Sequence, residues 1–250
     1  MLEKVEGIII NEKSYGETSK IINILTKDRG IIGIMAKGAK KIKSDLRSVT
    51  DRLTYGMFNI YYKKDKLSTL VSVDILDNFK NIKKDIEKIS YVSFLLELAE
   101  QVARQNQDDD IYQLLISSIK KINEGFDPLV ITNILELKYL EKLGVMPVLD
   151  KCSVCGNNHS IATLSSIKGG YICNNCLRNE RIVSDKTIKL IRMFYYVDIN
   201  KISKLDISDI AKLEINQFLD EYYDSYTGLY LKTKTFINNL KKIKTNEMWS

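Results

Sequence analysis

The sequence predicts an α+β protein in two parts: a five-stranded β-barrel over residues 1–80, then an α-helical domain over residues 81–250 with a four-cysteine motif set into it at about 150–178. Three observations carry this. The first eighty residues hold five short runs rich in β-branched and aromatic residues. From Ile82 onward the apolar period lengthens to that of a helix. All four cysteines fall between positions 152 and 176, as two C-x-x-C pairs.

The strand runs are Val5 to Ile10, Ser19 to Leu25, Gly30 to Ala36, Thr54 to Tyr62 and Leu67 to Ile75, each bounded by turn-forming residues. Lys27-Asp28-Arg29-Gly30 and Lys63-Lys64-Asp65-Lys66 read as hairpin turns, whereas the connection from Gly38 to Asp51 is much longer. Five strands cannot leave two sheet edges and an apolar face in water, so at least partial closure into a barrel follows. An OB-like barrel is the expected form. An SH3-like barrel has a similar strand count, and the pattern alone does not separate the two.

Helical periodicity begins with Ile82, Ile86, Ile89, Val92, Leu96, Ala99 and Ala103, the stripe of one long helix. Asp108-Asp109-Asp110 supplies acidic residues for the start of a second, whose face is Ile111, Leu114, Leu115, Ile119 and Ile122. A third opens with Asp127 as N-cap and Pro128 at the first position, and stops at Gly144. Its apolar residues cover most of its circumference, which marks a helix buried on several sides. Helical patterns resume at Ser184 to Val197 and Asp206 to Tyr223, with a last helix expected over Leu229 to Ile243.

Between the third helix and these lie Cys152-Ser-Val-Cys155 and Cys173-Asn-Asn-Cys176, seventeen residues apart. Two residues between paired cysteines let a tight turn aim both sulfurs at one point, and two such turns complete a tetrahedral thiolate cage for Zn2+. Gly156 and Gly169-Gly170 stand where a backbone bent inward needs positive φ. Four thiolates close the coordination shell and leave no place for a reactive water, so the metal is read as structural. The competing reading, two disulfides, needs an oxidising compartment. The chain opens Met1-Leu2-Glu3-Lys4 without a basic segment leading into an apolar one, and no run approaches the ~18 apolar residues of a membrane span. A soluble, reducing, cytoplasmic setting is therefore expected. His159, the one histidine, follows Cys155 closely enough to replace a thiolate, but an exposed turn residue is the plainer reading.

The net charge of +6 suits a polyanionic partner, yet 31 of the 38 basic residues are lysine, as an AT-rich genome would give. Placement is more informative than the total. Lys37, Lys40, Lys41, Lys43, Arg47 and Arg52 crowd the long connection, opposed only by Asp45 and Asp51. Spaced cations on a mobile loop neutralise phosphates and release counterions, which gives affinity without base specificity. Tyr55, Phe58, Tyr61 and Tyr62 follow on the next strand, where an outward ring would stack a base and an inward one would be core. Lys63-Lys64-Asp65-Lys66 and the tail lysines Lys232, Lys234, Lys241, Lys242 and Lys244 are further cations that ordinary solvated turns and helix ends also carry. Enzymatic readings lack their residues. A zinc-dependent nucleobase deaminase needs an H-x-E element, nucleotide hydrolysis a G-x-x-x-x-G-K-[ST] loop, and a serine triad a placed histidine. None of these patterns occurs.

The order of short motifs resembles one family over nearly the whole chain, the bacterial DNA-repair and recombination mediator RecO. The resemblance rests on Tyr15-Gly16-Glu17, Leu25-Thr26 with Gly30, Lys37-Gly38 and Ser44, Leu143-Gly144 with Pro147, and the four cysteines. One departure is Leu164, where the family often has phenylalanine. The resemblance implies an N-terminal OB fold, a zinc-bearing helical domain, and binding of single- and double-stranded DNA. It also implies annealing of complementary strands and, with RecR and the single-stranded-DNA-binding protein as partners, loading of the RecA recombinase. The alternative is a zinc-containing protein-docking module in which the basic loop plays no part.

Overall fold

The computed structural model describes residues 1–106, 108–235 and 237. Its first five strands are β1 (Leu2–Tyr15), β2 (Ser19–Thr26), β3 (Gly30–Ala36), β4 (Tyr55–Tyr61) and β5 (Ser68–Asp77). They close into a barrel in the order β1-β2-β3-β5-β4, every pair antiparallel except a short parallel seam in which Ile34 faces Ser68 and Met35 faces Thr69. This strand order with a parallel third-to-fifth pairing is that of an OB-like barrel. The core follows from alternation: Ile22 and Ile24 of β2, Ile32, Ile34 and Ala36 of β3, and Phe58 and Ile60 of β4 all point inward and meet Val5, Ile9 and Leu70. β1 runs five residues past its expected end because Glu12, Lys13 and Ser14 are exposed and pair with β2. A strand with a solvated end carries no apolar signal.

Between Ile9 and Asn11 the register of β1 slips by one residue. The bulge frees the carbonyl of Ile10 from the ladder, and the bulge region takes up the end of the long connection. Ile9 N–H donates to Thr54 O at 2.9 Å, and Leu53 N–H donates to Ile9 O at 3.0 Å.

The helix expected from Ile82 is broken in two. A single turn, α1 (Lys80–Lys83), ends before α2 (Ile86–Gln105), because the Asp85 carboxylate accepts from Glu87 N–H at 2.9 Å and Lys88 N–H at 3.2 Å and so caps a new start. Ile82 is buried, and Ile86 is exposed. The barrel, α1, α2 and the first half of α3 (Asp109–Glu124) form one compact unit, Met1–Ile116, which the chain rejoins at Thr233. Within it Glu6 accepts from Tyr55 OH at 2.7 Å and Tyr112 OH at 2.9 Å. The Glu97 carboxylate of α2 receives both the N–H of Thr233, at 2.9 Å, and its hydroxyl. Residues 232–235 and 237 are helical and residues 229–231 are not, and the part of the last expected helix beyond 237, with Lys241 and Lys242, lies outside the described residues, as does Lys244.

The second unit is Ser117–Lys232. Its centre is α4 (Pro128–Lys142), capped by the Asp127 carboxylate on Leu129 and Val130 N–H as its sequence demands. Val130, Ile131, Ile134, Leu135, Leu137, Tyr139 and Leu140 are all buried, so the helix is enclosed on several sides. α5 (Asp185–Tyr196) and α6 (Asp209–Tyr226) pack against it, each starting one residue after a serine whose hydroxyl accepts a first-turn N–H. The fifth expected helix therefore begins at the Ser208 cap, not at Asp206. Between α4 and α5 a two-stranded hairpin, β6 (Ile161–Ser165) and β7 (Gly170–Cys173), carries the cysteine motif. Leu164 is buried there and lines a cleft of about 320 Å³ between the hairpin and α6. Among the described residues no helix is long and apolar enough to cross a membrane.

Candidate nucleic-acid interface and metal centre

Both knuckles are built from the same local turn. Gly156 N–H donates to Cys152 O at 2.9 Å, and Leu177 N–H donates to Cys173 O at 3.0 Å, so each chain curls back over its own first cysteine. Gly156 has φ +74°, the left-handed conformation the first knuckle requires. The two knuckles are brought together by Gly170. A Cβ there would lie 2.2 Å from Val148 O, and this approach lets Tyr171 N–H reach the same carbonyl at 2.9 Å. As a result the four Sγ atoms of Cys152, Cys155, Cys173 and Cys176 lie within 4.8 Å of one another.

The sulfurs are not disulfide-bonded: all four cysteines are free, and Cys155 and Cys173 stand 3.6 Å apart. A tetrahedron of thiolates at ~2.3 Å from a zinc ion has S···S edges of about 3.8 Å, so the cluster has the dimensions and the donor chemistry that such an ion needs. Burial opposes ionisation of Cys152, but amide hydrogen bonds at Cys173, Cys155 and Val154 outweigh it and pull its thiol down to about 6. Cys176 is pushed up to about 12, first by its hydrogen bond with Cys155 and then by burial and the other two thiols. A cage of four sulfurs that share protons in this way is one that a divalent cation would relieve. His159 is exposed and takes no part in the cluster. Lys168 Nζ pairs with Glu180 and reaches Cys176 O at 3.4 Å, tying the hairpin to the chain after the second knuckle.

The basic connection between β3 and β4 is held by its own backbone hydrogen bonds. It is a succession of tight turns, with Lys41 N–H on Gly38 O, Ser44 N–H on Lys41 O and Arg47 N–H on Ser44 O, all at 3.0–3.1 Å. Ala39 is fully buried, Leu46 packs on the barrel core, and buried Thr50 gives its hydroxyl to Leu46 O at 2.8 Å. Pinned from below, the connection presents Lys37, Lys40, Lys41, Lys43 and Arg47 to solvent, all exposed. Of its two acids, Asp51 is taken up by Lys20 Nζ at 2.7 Å, a cation that also pairs with Glu12 at 2.9 Å. Lys40 binds the neighbouring β1–β2 turn through its N–H, on Thr18 O at 2.8 Å.

Arg52 stands apart from the other five. Its Nε donates to the bulged Ile10 carbonyl at 2.9 Å and its Nη2 to Ser93 O at 3.0 Å, and burial draws its pKa down against the raising fields of Glu97, Glu100 and Glu12. These bonds commit its guanidinium to the fold. The four aromatics divide as follows. Phe58 is core. Tyr55 is buried, its phenol pushed up to about 12 by burial and then by Glu6. Tyr62 is half-buried, with the Arg29 guanidinium 4.8 Å from its ring. Tyr61 is exposed but pairs with Leu2, six residues or about 20 Å along β4 from the connection. Two exposed groups that charge counting passes over do lie with the cations: Tyr15, at the β1–β2 turn, and Ile42, between Lys41 and Lys43. Their signal in the sequence is slight, an aliphatic residue with a cation on either side and no periodicity to bury it.

Comparison with known proteins gives the same answer for both parts of the chain. Residues 1–79 match the family described as recombination protein O N terminal, and residues 83–235 match recombination protein O C terminal. The DNA repair protein RecO of Listeria monocytogenes serotype 4b (strain CLIP80459) is 35% identical over 245 residues, covering 96% of each chain. That of Bacillus pumilus (strain SAFR-032) is 36% identical over 248 residues, 98% of this chain and 96% of the relative. That of Bacillus subtilis (strain 168) is 34% identical over 248 residues, 98% and 97%. With an OB-like barrel, a four-thiol cluster and matches along almost its full length, this chain belongs to the RecO family.

Proposed function

We propose that the chain is a DNA repair and recombination mediator that binds single- and double-stranded DNA, anneals complementary strands and, with RecR and the single-stranded-DNA-binding protein, helps load the RecA recombinase. The observation that carries the DNA-binding reading is the connection from Lys37 to Arg47: five exposed cations on a scaffold pinned by Ala39, Leu46 and Thr50, with one of its two acids held by Lys20. Arg52 acts beneath that surface, as its anchor. Each cation that neutralises a phosphate lowers the repulsion between two strands that must approach and pair. The step needs no covalent chemistry, so the mediator is not an enzyme. The barrel, to about residue 80, is the DNA-binding domain, and the cytoplasm, on the nucleoid, is the place of action. Cys152, Cys155, Cys173 and Cys176 hold one structural Zn2+, which supplies the cross-link that fixes the β6–β7 hairpin.

The test is an annealing assay with two complementary oligonucleotides, run on the full chain with and without zinc. Faster annealing with no nucleotide hydrolysis supports the proposal. A chain that neither binds DNA at low salt nor accelerates annealing would instead be a docking module.

A further inference from the structure

We infer that Ile42 and Tyr15 contact the bases of single-stranded DNA, Ile42 as an apolar wedge between neighbouring bases and Tyr15 as a stacking platform on the β1–β2 turn that Lys40 binds. This rests on the proposed reading of the Lys37–Arg47 connection as the DNA interface, and it adds what that reading lacks, a means of telling unpaired strand from duplex.

Ile42 is the exception among its neighbours. The aliphatic side chains of the connection are Ala39, Ile42, Leu46, Val49 and Leu53; the other four are buried or half-buried, and Ile42 is 86% exposed. It sits three residues after the Ala39 anchor and four before the Leu46 anchor, both packed on the barrel core. Lys41 and Lys43 flank it, both exposed. An isoleucine kept in water forgoes the gain of burying its side chain, and here it is placed where a polyanion would dock. Apolar wedges between cations that hold the backbone are how proteins unstack neighbouring bases. A turn Lys-Ile-Lys would also suit an anionic lipid surface. The structure favours the nucleic acid, because the second exposed group is an aromatic ring on the element that Lys40 binds. Tyr15 is 56% exposed, and the Lys40 side chain and main chain reach the Gly16 and Thr18 carbonyls of the same turn, at 3.5 Å and 2.8 Å. A planar ring on the turn that Lys40 binds offers a base a face on which to stack.

The experiment uses the full chain and an oligonucleotide carrying 2-aminopurine, whose fluorescence rises when it leaves its stack. Ile42→Ala, Ile42→Gln and Tyr15→Ala are compared with Lys40→Ala/Lys41→Ala. None of the Ile42 and Tyr15 changes removes a charge. Each should weaken single-strand binding about fivefold or more, abolish much of the fluorescence rise and leave the salt slope and duplex affinity unchanged. Tyr15→Phe should restore the signal that Tyr15→Ala loses. The inference is overturned if the Ile42 variants keep affinity and fluorescence while the lysine variant weakens, since the interface would then stand without a wedge. If the lysine variant also binds unchanged, the underlying reading fails with it. Loss of binding to phosphatidylglycerol vesicles in Ile42→Gln with DNA binding intact would assign the wedge to a membrane surface, and would overturn the inference as well.

Discussion

The guanidinium of Arg52 donates to the main-chain carbonyl of Ser93 at 3.0 Å, so the last cation of the basic connection is spent on the helix that follows the barrel. Its other bond, to Ile10 O, answers the β1 bulge. Arg52→Ala should therefore cost about 1–3 kcal/mol, the penalty of leaving buried acceptors without a donor. Urea denaturation reads it as a lowered midpoint. The salt dependence of DNA binding by the folded fraction should not change. A shallower slope with undiminished stability would return Arg52 to the phosphate-binding set.

The five exposed cations predict the opposite behaviour. Lys40→Ala/Lys41→Ala should leave folding within about half a kcal/mol, as exposed substitutions do. It should make the logarithmic salt slope for single-stranded DNA shallower by roughly 1 to 1.5, given ~0.7 per phosphate neutralised. Reversing the charges of Lys63 and Lys64 on the β4–β5 turn is the control for general attraction to a basic protein. Equal losses in both variants would show that the connection is nothing special.

One zinc per chain is expected by elemental analysis of protein kept reduced. Cys173→Ser should be the most damaging of the four serine substitutions, because Cys173 is buried and ends β7, whereas Cys155 is exposed. Hydrogen exchange should rise from Val148 to Val183 in each variant and after chelation, and stay unchanged in β1–β5. Protection in the hairpin that is indifferent to metal would remove its structural role.

Glu214 gives a pH signature in the second unit. Burial raises its pKa, but hydrogen bonds from the Thr187 hydroxyl, at 2.6 Å, and from Ser184 outweigh burial and hold the carboxyl below its ordinary 4.5. A depressed folded pKa contributes stability that is complete above the unfolded value and lost as the pH falls through the folded one. Glu214→Gln should therefore destabilise the protein at neutral pH. The gap between wild type and variant should close on acidification below 4.5. Loss of metal affects both proteins alike and drops out of the difference. A gap constant with pH would mean that the carboxylate charge does not matter.

Much of the fold was legible because its signals are local. The bounds of β3 fall at Gly30 and Ala36 as read, since the Thr26 hydroxyl closes the turn by donating to Gly30 O at 2.8 Å. Asp127-Pro128 starts α4 as read. The cysteine pairs converge because a C-x-x-C turn carries its own geometry. What escaped was set by one local signal overriding another, by elements too short to show a period, or by partners distant in sequence. The Asp85 cap outcompetes an apolar stripe that would otherwise run on from Ile82. The β6–β7 hairpin is too short to show alternation between the knuckles. Arg52 reads as one more cation until the fold delivers an unpaired carbonyl 42 residues upstream, and no pattern marks Ile42 as the aliphatic left outside.

The chain leaves its first unit at Ile116 and re-enters it at Thr233, so the path between those points is a side loop in the mechanical sense. Tension applied at Met1 and Ile237 runs through the barrel unit and bypasses Ser117–Lys232 for as long as the first unit holds. The clasp is Glu97, whose carboxylate grips both the N–H and the hydroxyl of Thr233. In an optical trap the barrel unit should give way first, and only then should the unit that carries the four cysteines feel the load and extend. The four-cysteine unit is in this way kept out of the line of force.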